Sequence, residues 1–478
     1  MKRSELLKQI EYETSLADIE ITAVTNDSRR VTPGCLFVCI AGEHFDGHEH
    51  AAESLQKGAA AVVCERDLGL SEQILVKDSR AAYGIICANW FGNPAERMKL
   101  IGVTGTNGKT TVTTLIKNVL MACGIKTGLI GTIRNEIGET VLPTDKTTPD
   151  AMDLQRLLAQ MADEGCEYAV MEVSSHALDQ HRIGNLHFSI AVFTNLTQDH
   201  LDYHKTMENY FNAKRKLFDI SDIGVINTDD VYGRQLSLLA KSEVVTCSLH
   251  NPKADFYASE IQCRPDRVIF HMEYRDISSR VEFPMPGLYS VQNALAVLAV
   301  CREVGISIEN ITKTLATSCG VKGRSEIIPT GRDFTVICDY AHTPDGLENI
   351  LPSLRPFAEG RLVTLFGCGG DRDAAKRPLM GEAAAKHSDF VIVTSDNPRT
   401  EDPEKIIADI LPGVEKYKTP YVVLPNRREA ILYAVKNAQP HDTIVLAGKG
   451  HEDYQVVGTE KRHFDEREIV REALDALE

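Results

Sequence analysis

Short β-branched runs alternate with stretches of helical periodicity along almost the whole chain, and this alternation constrains the fold more than any other feature. A strand buried on both faces reads as a continuous apolar run, so the pattern predicts α/β domains with largely parallel sheets. The clearest case lies in the last third, where FTVICDY, RLVTLFG, FVIVTSD, YVVLP and TIVLAG are separated by helical segments in a doubly wound order. Such sheets place ligands at the carboxyl ends of their strands. GCGGDRD (367–373), SDNPR (395–399) and GKGHE (448–452) stand at those ends.

Three blocks emerge, which the reading bounds at 1–98, 99–326 and 327–478. The first holds CLFVCI (35–40) and AAAVVCE (59–65) as strands around a helical stretch near 48–57, and closes on the linker-like FGNPAERM (91–98). The second opens on the strand KLIGV, carries EYAVMEV (167–173), FSIAVFTN (188–195) and IGVINTD (223–229), and closes near GVKGRSE (320–326). A length of 478 residues agrees with about three domains at roughly 100 to 200 residues each.

Lys and Arg total 52 against 68 Asp and Glu, a formal charge of -16 that argues against a general nucleic-acid or anionic-membrane binder. An anionic substrate then needs local basic pockets. Twelve cysteines, among them Cys35, Cys39, Cys64, Cys87 and Cys338, lie in apolar runs without paired metal-ligand spacing, as buried reduced thiols of a cytoplasmic protein would. The N-terminus MKRSELLKQIEYETS is charged throughout and unlike a secretory signal, and no apolar run is long enough to span a membrane.

GVTGTNGKTT (102–111) joins a buried strand to a helix whose Val112, Leu115, Ile116, Val119 and Leu120 share one face. Backbone N–H groups and the helix dipole converge there on an anion. Gly105 and Gly108 let the backbone approach, Lys109 neutralises terminal phosphates, and the Thr110 hydroxyl is placed to ligate magnesium. The common G-x-x-x-x-G-K-[ST] loop would need glycine at 103, where Val103 stands. An ordinary glycine-rich turn is the plainer reading, but strand, G-K-T and helix together predict nucleotide binding.

Glu172 in MEVSS ends an apolar strand, where a carboxylate can face the loop and share the magnesium. NLTQDHLDYH (195–204) crowds Asp199, His200, Asp202 and His204 behind another strand. It reads equally as a polar turn with a helix cap. His200 and His204 also stand four apart, as zinc ligands on a helix do, although magnesium and ATP account for the chemistry without zinc.

Taken in order, G-T-N-G-K-T, MEVSSHALDQHR, NLTQDHLDYH and DYAHTPD (339–345) resemble the Mur ligases, ATP-dependent amide-bond-forming enzymes of peptidoglycan precursor synthesis. NDSRRVTPGCLFV, FGCGGDRDAAKRPLMG, DNPRTEDP and AGKGHEDYQ extend the resemblance over nearly the whole chain and are similar to the members that add the third stem-peptide residue. The resemblance implies an N-terminal UDP-binding α/β domain, a central P-loop ATP-binding α/β domain and a C-terminal Rossmann-like domain. It accounts for the loop, since the family uses G-x-x-G-K-[ST]. It further implies that the D-Glu carboxylate of UDP-MurNAc-L-Ala-D-Glu attacks the γ-phosphate of ATP, and that an amine then displaces phosphate from the acyl phosphate. Two anions must meet, so positive charge is required where they do. The amine must arrive before water does, which favours a cleft closing between domains.

Residue by residue, the resemblance assigns Gly105, Thr106, Asn107, Gly108, Lys109, Thr110 and Thr111 to ATP, with Asn293, Arg324 and Asp339, followed by His342, toward the nucleotide's far end. Ser290 stands where many relatives have asparagine. Thr110, Glu172 and His200 become magnesium ligands or their neighbours, and Lys214 in NAKRKLF a carbamylated lysine holding a second magnesium. Read without the family, Lys214 is a solvated lysine on a charged helix. Ser28 in NDSR and GEHFDGHEH (42–50) match UDP recognition, while Thr147, Thr148, Ser174, Gln180 and Arg182 match contacts to the peptide-bearing portion.

For the incoming amino acid the matched set is Arg372, Asp396, Asn397, Pro398, Arg399, Gly448 and Glu452. meso-Diaminopimelate carries a distal carboxylate that lysine lacks, and Arg399 in DNPR supplies the fork-like partner. As a helix-start residue before TEDPEKIIADI, Arg399 would instead oppose the dipole. The expected partners are therefore UDP-MurNAc-L-Ala-D-Glu and meso-diaminopimelate, with ATP and magnesium, no nucleic acid, no membrane insertion and a monomeric chain. A folylpolyglutamate synthetase shares the central logic but is disfavoured by NDSR, DNPR and GKGHE. A nucleotide switch would bind ATP without releasing ADP when acceptor and amine are supplied.

Overall fold

A computed structural model describes residues 1–42, 45–144, 146–264, 266–318 and 321–477, with Asp202 described by its backbone alone. Glu43 and His44 of the UDP-matched segment, Gly320 of GVKGRSE and the Asp202 side chain lie outside the described residues. The chain packs into two compact units, one comprising Met1–Leu196, His200–Ile226 and Asp230–Val245, the other Thr197–Asp199, Asn227–Asp229 and Thr246–Glu478.

In the first unit, a five-stranded sheet runs in the order Tyr12–Glu13, Gln73–Val76, Ala61–Cys64, Cys35–Val38, Ala23–Thr25, parallel except for its first pair. Leu36, Val38, Ala61 and Val63 face the helix Ser79–Trp90, while Cys35, Phe37, Val62 and Cys64 pack on the other side with Ala51 and Ala59. Burial on both faces explains the unbroken apolar runs. The expected helix near 48–57 is a 3-10 turn, Gly47–His50, leading into Ala51–Gln56.

The strand Lys99–Thr104 lies at the middle of a parallel sheet, flanked by Tyr168–Glu172 and Phe188–Phe193. A Cβ at Gly102 would sit 2.8 Å from the Phe188 ring, so this glycine makes room for a core aromatic and takes no part in the loop. Thr127–Ile130 and the hairpin Asn135–Ile137, Thr140–Leu142 extend the sheet on one side. The helix Lys109–Ala122 follows the loop and buries Val112, Leu115, Ile116, Val119 and Leu120, the face its spacing predicts.

In the second unit, antiparallel strands Phe256–Cys263, Val268–Tyr274 and Ile277–Phe283 support the helices Leu288–Glu303 and Ile308–Ala316. A six-stranded sheet follows in the order Glu326–Ile328, Thr335–Asp339, Thr443–Ala447, Leu362–Phe366, Phe390–Val393, Tyr421–Val423, parallel except for the first pair. Each face carries its own core, so the sheet is doubly wound as the alternation predicts. Thr443–Ala447, last in sequence, inserts beside Thr335–Asp339 and makes the switch point. A two-stranded hairpin, Tyr454–Val457 with Glu460–His463, comes next.

Candidate active site

In the first unit the main chain of the phosphate loop is fixed by close packing and by bonds from Thr194, Asn195 and Lys109. A Cβ at Gly105 would fall 1.9 Å from Thr194 Oγ1, and Gly108 begins the helix at φ 87°. Only glycine takes both positions without strain. Asn195 clamps the loop: its carbonyl accepts from Thr106 N at 2.9 Å, its Oδ1 from Asn107 N at 2.9 Å, and its Nδ2 donates to the Asn107 carbonyl at 3.2 Å. Thr194 Oγ1 donates to the same carbonyl at 2.6 Å. Lys109 Nζ folds back on the Gly105 and Thr106 carbonyls at 2.9 and 2.8 Å. Thr111 is buried on the helix behind them.

Thr110 Oγ1 donates to Glu172 Oε2 at 3.1 Å in the buried interior. Glu172, the last residue of its strand, also accepts from Thr132 N at 2.8 Å and Thr132 Oγ1 at 3.0 Å. A hydroxyl and a carboxylate at the loop are hard oxygen donors of the kind magnesium takes. Lys214 is 2 % exposed, which corrects the solvated-lysine reading. It donates to the Gly105 carbonyl at 2.9 Å and lies 4.6 Å from the Tyr210 ring centroid. His200, at φ 54°, meets the His176 ring edge-on at 4.9 Å. His204 pairs with Ser175 Oγ at 2.9 Å and stacks on Tyr210. Among the described residues no group of three or more His, Cys, Asp or Glu is arranged to hold a metal ion.

The peptide-matched residues come together beside Glu172. Thr147 Oγ1 accepts from Thr132 Oγ1 at 3.0 Å, and Thr148 Oγ1 donates to the Glu172 carbonyl at 2.9 Å. Ser174 caps the helix Ser175–Asp179 and receives Thr148 Oγ1 at 3.2 Å. Gln180 Oε1 accepts both Nε and Nη2 of Arg182, at 3.0 and 2.7 Å, and Arg182 Nη1 reaches the Thr148 carbonyl at 3.3 Å. The guanidinium is thus held flat at the edge of this cluster. On the first sheet, Ser28 opens a 3-10 turn capped by Asp27, and its carbonyl accepts Lys57 Nζ at 3.2 Å. In the other UDP-matched segment Asp46 and His48 pair at 2.6 Å and serve the turn itself, leaving Phe45 exposed and stacked on His50.

In the second unit Asn293 is buried on the helix Leu288–Glu303, and Ser290 Oγ donates to the Pro286 carbonyl at 2.7 Å. The Arg324 guanidinium lies 4.8 Å from the Tyr340 ring centroid. Asp339 accepts Ser325 N at 2.7 Å and Ala341 N at 2.8 Å. Burial pushes its carboxyl above the ordinary value against the opposing charge of Arg324. Burial likewise pushes the His342 imidazole down, while its Nδ1 sits 2.7 Å from the Tyr340 carbonyl.

The three strand-end loops of this sheet interlock. Asn397 Nδ2 donates to Glu452 Oε2 at 2.9 Å, and Gly448, at φ 115°, brings the backbone so close that a Cβ would lie 3.3 Å from Asp396 Oδ2. Burial acts to raise Asp396, but Lys449 and Arg427 outweigh it and hold the carboxyl below its ordinary value. Arg399 Nη1 donates to the Gly370 carbonyl at 2.8 Å, and a Cβ at Gly369 would touch both Arg399 and Arg372. Arg399, at φ 52°, exchanges backbone bonds with the hairpin: its N–H goes to the Val456 carbonyl, and its carbonyl accepts Gly458 N. Pro398 backs Gly370, where a Cβ would lie 1.9 Å from the Pro398 carbonyl. The following helix Pro403–Val414 is capped by Asp402, so Arg399 is not its cap.

Several residues here escape sequence reasoning. Arg377, 3 % exposed, binds Glu401 at 2.8 Å and Asp409 at 2.8 Å and ties the first loop to the second. Arg427 and Glu466 form a fully buried pair at 2.8 Å, and Arg427 Nη2 donates to the Ala447 carbonyl. Lys449, a residue of GKGHE, is fully buried. A lysine between two glycines at a strand end was the available signal for the last of these.

Comparison with known proteins agrees with this arrangement. Three family models match in order: "Mur ligase family, catalytic domain" over residues 20–88, "Mur ligase middle domain" over 103–301, and "Mur ligase, glutamate ligase domain" over 323–450. A curated relative from Caldanaerobacter subterraneus, named UDP-N-acetylmuramoyl-L-alanyl-D-glutamate--2,6-diaminopimelate ligase, is 47% identical over 99% of both chains. One from Clostridium acetobutylicum, with the same name numbered 1, is 45% identical over 100% of both. A solved structure titled with that ligase name superimposes with a TM-score of 0.73 at 33% identity, covering 100% of this chain and 99% of the other. The architecture is three-domain α/β, and the chain belongs to the Mur ligase family.

Proposed function

We propose that the chain joins meso-diaminopimelate to the D-glutamate of UDP-MurNAc-L-Ala-D-Glu, cleaving ATP to ADP and phosphate, in peptidoglycan precursor synthesis. The observation that carries the choice of amino acid is the interlocked pocket of Asp396, Asn397, Arg399, Gly448 and Glu452. Segment 1–98 takes the UDP-sugar through Ser28, segment 99–326 the nucleotide, and segment 327–478 the amino acid. No helix among the described residues is long and apolar enough to cross a membrane, and the chain acts as a cytoplasmic monomer.

The D-Glu carboxylate attacks the γ-phosphorus, the bond to the ADP oxygen breaks, and an acyl phosphate results. The amine of diaminopimelate then attacks the acyl carbon, phosphate leaves from the tetrahedral intermediate, and the amine loses a proton. Loop amides from Gly105 to Thr111 receive phosphate oxygens, and Lys109 supplies the positive charge that lets two anions approach. Asn293, Arg324 and Asp339 hold the nucleotide's far end. Thr147, Thr148, Ser174, Gln180 and Arg182 hold the peptide so that its carboxylate faces the loop. Thr110, Glu172, His200 and, once carbamylated by carbon dioxide, Lys214 would hold magnesium, which would add positive charge against phosphate repulsion. The burial of Lys214 beside the Gly105 carbonyl supports its assignment. Arg399 pairs with the distal carboxylate of diaminopimelate, Arg372 stands beside it, and the acids face an ammonium.

The test is ADP release with the UDP-dipeptide and, in parallel, diaminopimelate, lysine or ornithine. Release is expected with diaminopimelate. Equal release with lysine would overturn the amino-acid assignment, and none with any amine would overturn the ligase reading.

A further inference from the structure

Lys449 places its ammonium among the three acceptors of the amino-acid pocket. Its Nζ lies 2.7 Å from Asn397 Oδ1, 3.2 Å from Asp396 Oδ1 and 3.0 Å from Glu452 Oε2. Val456 N also donates to Asn397 Oδ1, at 2.9 Å, while Asn397 Nδ2 donates to Glu452. Two donors on the oxygen and an acceptor at the nitrogen decide which way the amide faces. The neighbouring cation Arg427 is already taken up by Glu466 at 2.8 Å. Arg427 faces Asp396 as well, so Lys449 and Arg427 stand against Asp396, Glu452 and Glu466, which leaves one net negative charge in a mostly buried place. An isolated buried charge is costly, so such a place is made for a cation.

We propose that Lys449 sets the charge and geometry of the pocket: it locks the Asn397 amide and offsets one carboxylate charge, so that a single net negative charge is presented to an ammonium of the incoming amino acid. Lys449 acts through Asp396, Asn397 and Glu452 and is a positioning residue. The inference rests on the reading of this pocket as the diaminopimelate site. The flanking glycines serve it, since Gly448 runs at φ 115° and a Cβ at Gly450 would lie 2.6 Å from the Tyr340 side chain, which lets the backbone carry a lysine inward.

The experiment uses the full chain with ATP, the UDP-dipeptide and diaminopimelate. Lys449→Met keeps most of the side chain's length and removes its charge. The KM for diaminopimelate should rise on the order of tenfold to a hundredfold, while the KM values for ATP and the UDP-dipeptide stay within about twofold. Asp396 is faced by Lys449 and Arg427, with His342, Tyr340, Tyr454 and Cys368 around it. Losing the nearest cation moves the acid limb of kcat/KM for diaminopimelate to higher pH. In Lys449→Met/Asp396→Asn the net charge returns to one negative, so kcat/KM should exceed the product of the two single effects. Strict additivity, or a parallel rise in all three KM values with a lowered Tm, would overturn the proposal. If the single variant does not fold, the double variant decides: diaminopimelate use above that of Asp396→Asn supports the charge count, and use below it refutes it. Failure of the wild type to use diaminopimelate overturns the pocket reading and this inference with it. Wild-type selectivity with an unchanged KM in Lys449→Met overturns this inference alone.

Discussion

The phosphate loop and the proposed amino-acid pocket are held in different ways. The loop is held through its main chain: Thr106 and Asn107 bond to Asn195, Lys109 and Lys214 donate to loop carbonyls, and glycine stands where the chain turns. The pocket is held by charges: Lys449 with Asp396 and Glu452, Arg427 with Glu466, Arg377 with Glu401 and Asp409. A main-chain cradle recognises any phosphate, so it suits the step every substrate shares. Side-chain charges recognise one arrangement of ligand charges, and because each must be matched when buried, they form a network in place of a loop.

Removing charge at the loop should stop the reaction, while removing it at the pocket should weaken use of the amine and leave ATP binding intact. Lys214→Ala is expected to lower ADP release by about three orders of magnitude or more, with partial recovery on adding a short carboxylate to the assay. Full activity in that variant would end the carbamate assignment. Arg399→Ala should lower kcat/KM for diaminopimelate by roughly a hundredfold and leave ATP binding by calorimetry unchanged. Equal loss of both would erase the distinction between the two regions.

Neutral clamps should cost less. Asn195→Ala removes both amide contacts to Asn107, at about 1 kcal/mol each, so the KM for ATP should rise roughly thirtyfold with little change in the KM for diaminopimelate. A rise in the latter alone would contradict the role given to Asn195.

The smallest effect concerns acid stability. Burial, with Arg324 and Lys322 nearby, lowers the His451 pKa from 6.5 to about 3, and its buried Nδ1 finds no hydrogen-bond partner among the described residues. The unfolded chain binds a proton below pH 6.5 that the folded one refuses, so stability falls as pH drops from there toward about 3. With some exposure discounted, His451→Asn should recover about 1 kcal/mol at pH 5 relative to pH 7. Melting curves at the two pH values measure it, and an identical acid loss in both proteins would remove His451 as the cause.

Strands, helices and the phosphate loop were legible because each is written in contiguous residues: Val112 to Leu120 mark a helix face, and G-T-N-G-K-T a turn. Asn195 was not, since its value comes from Asn107, 88 positions earlier. Lys214 read as solvated because charge on a helix says nothing of what the opposite face meets. In the structure it meets Tyr210 and Gly105. DNPR and GKGHE were legible as loops at strand ends, but the pairing of Lys449 with Asn397 spans 52 positions and no local pattern announces it. The charge on Arg399 could be read. The left-handed backbone that aims it could not, because that depends on the hairpin's bonds to it.

That hairpin separates shape from identity. Val456 and Gly458 grip residue 399 by its peptide groups, and Val456 and Gln455 grip Asn397 and Asp396, so the course of this segment does not depend on the side chain at 399. The left-handed turn at 399 is thus imposed from outside, and the hairpin's bonds bear the strain of a non-glycine residue at φ 52°.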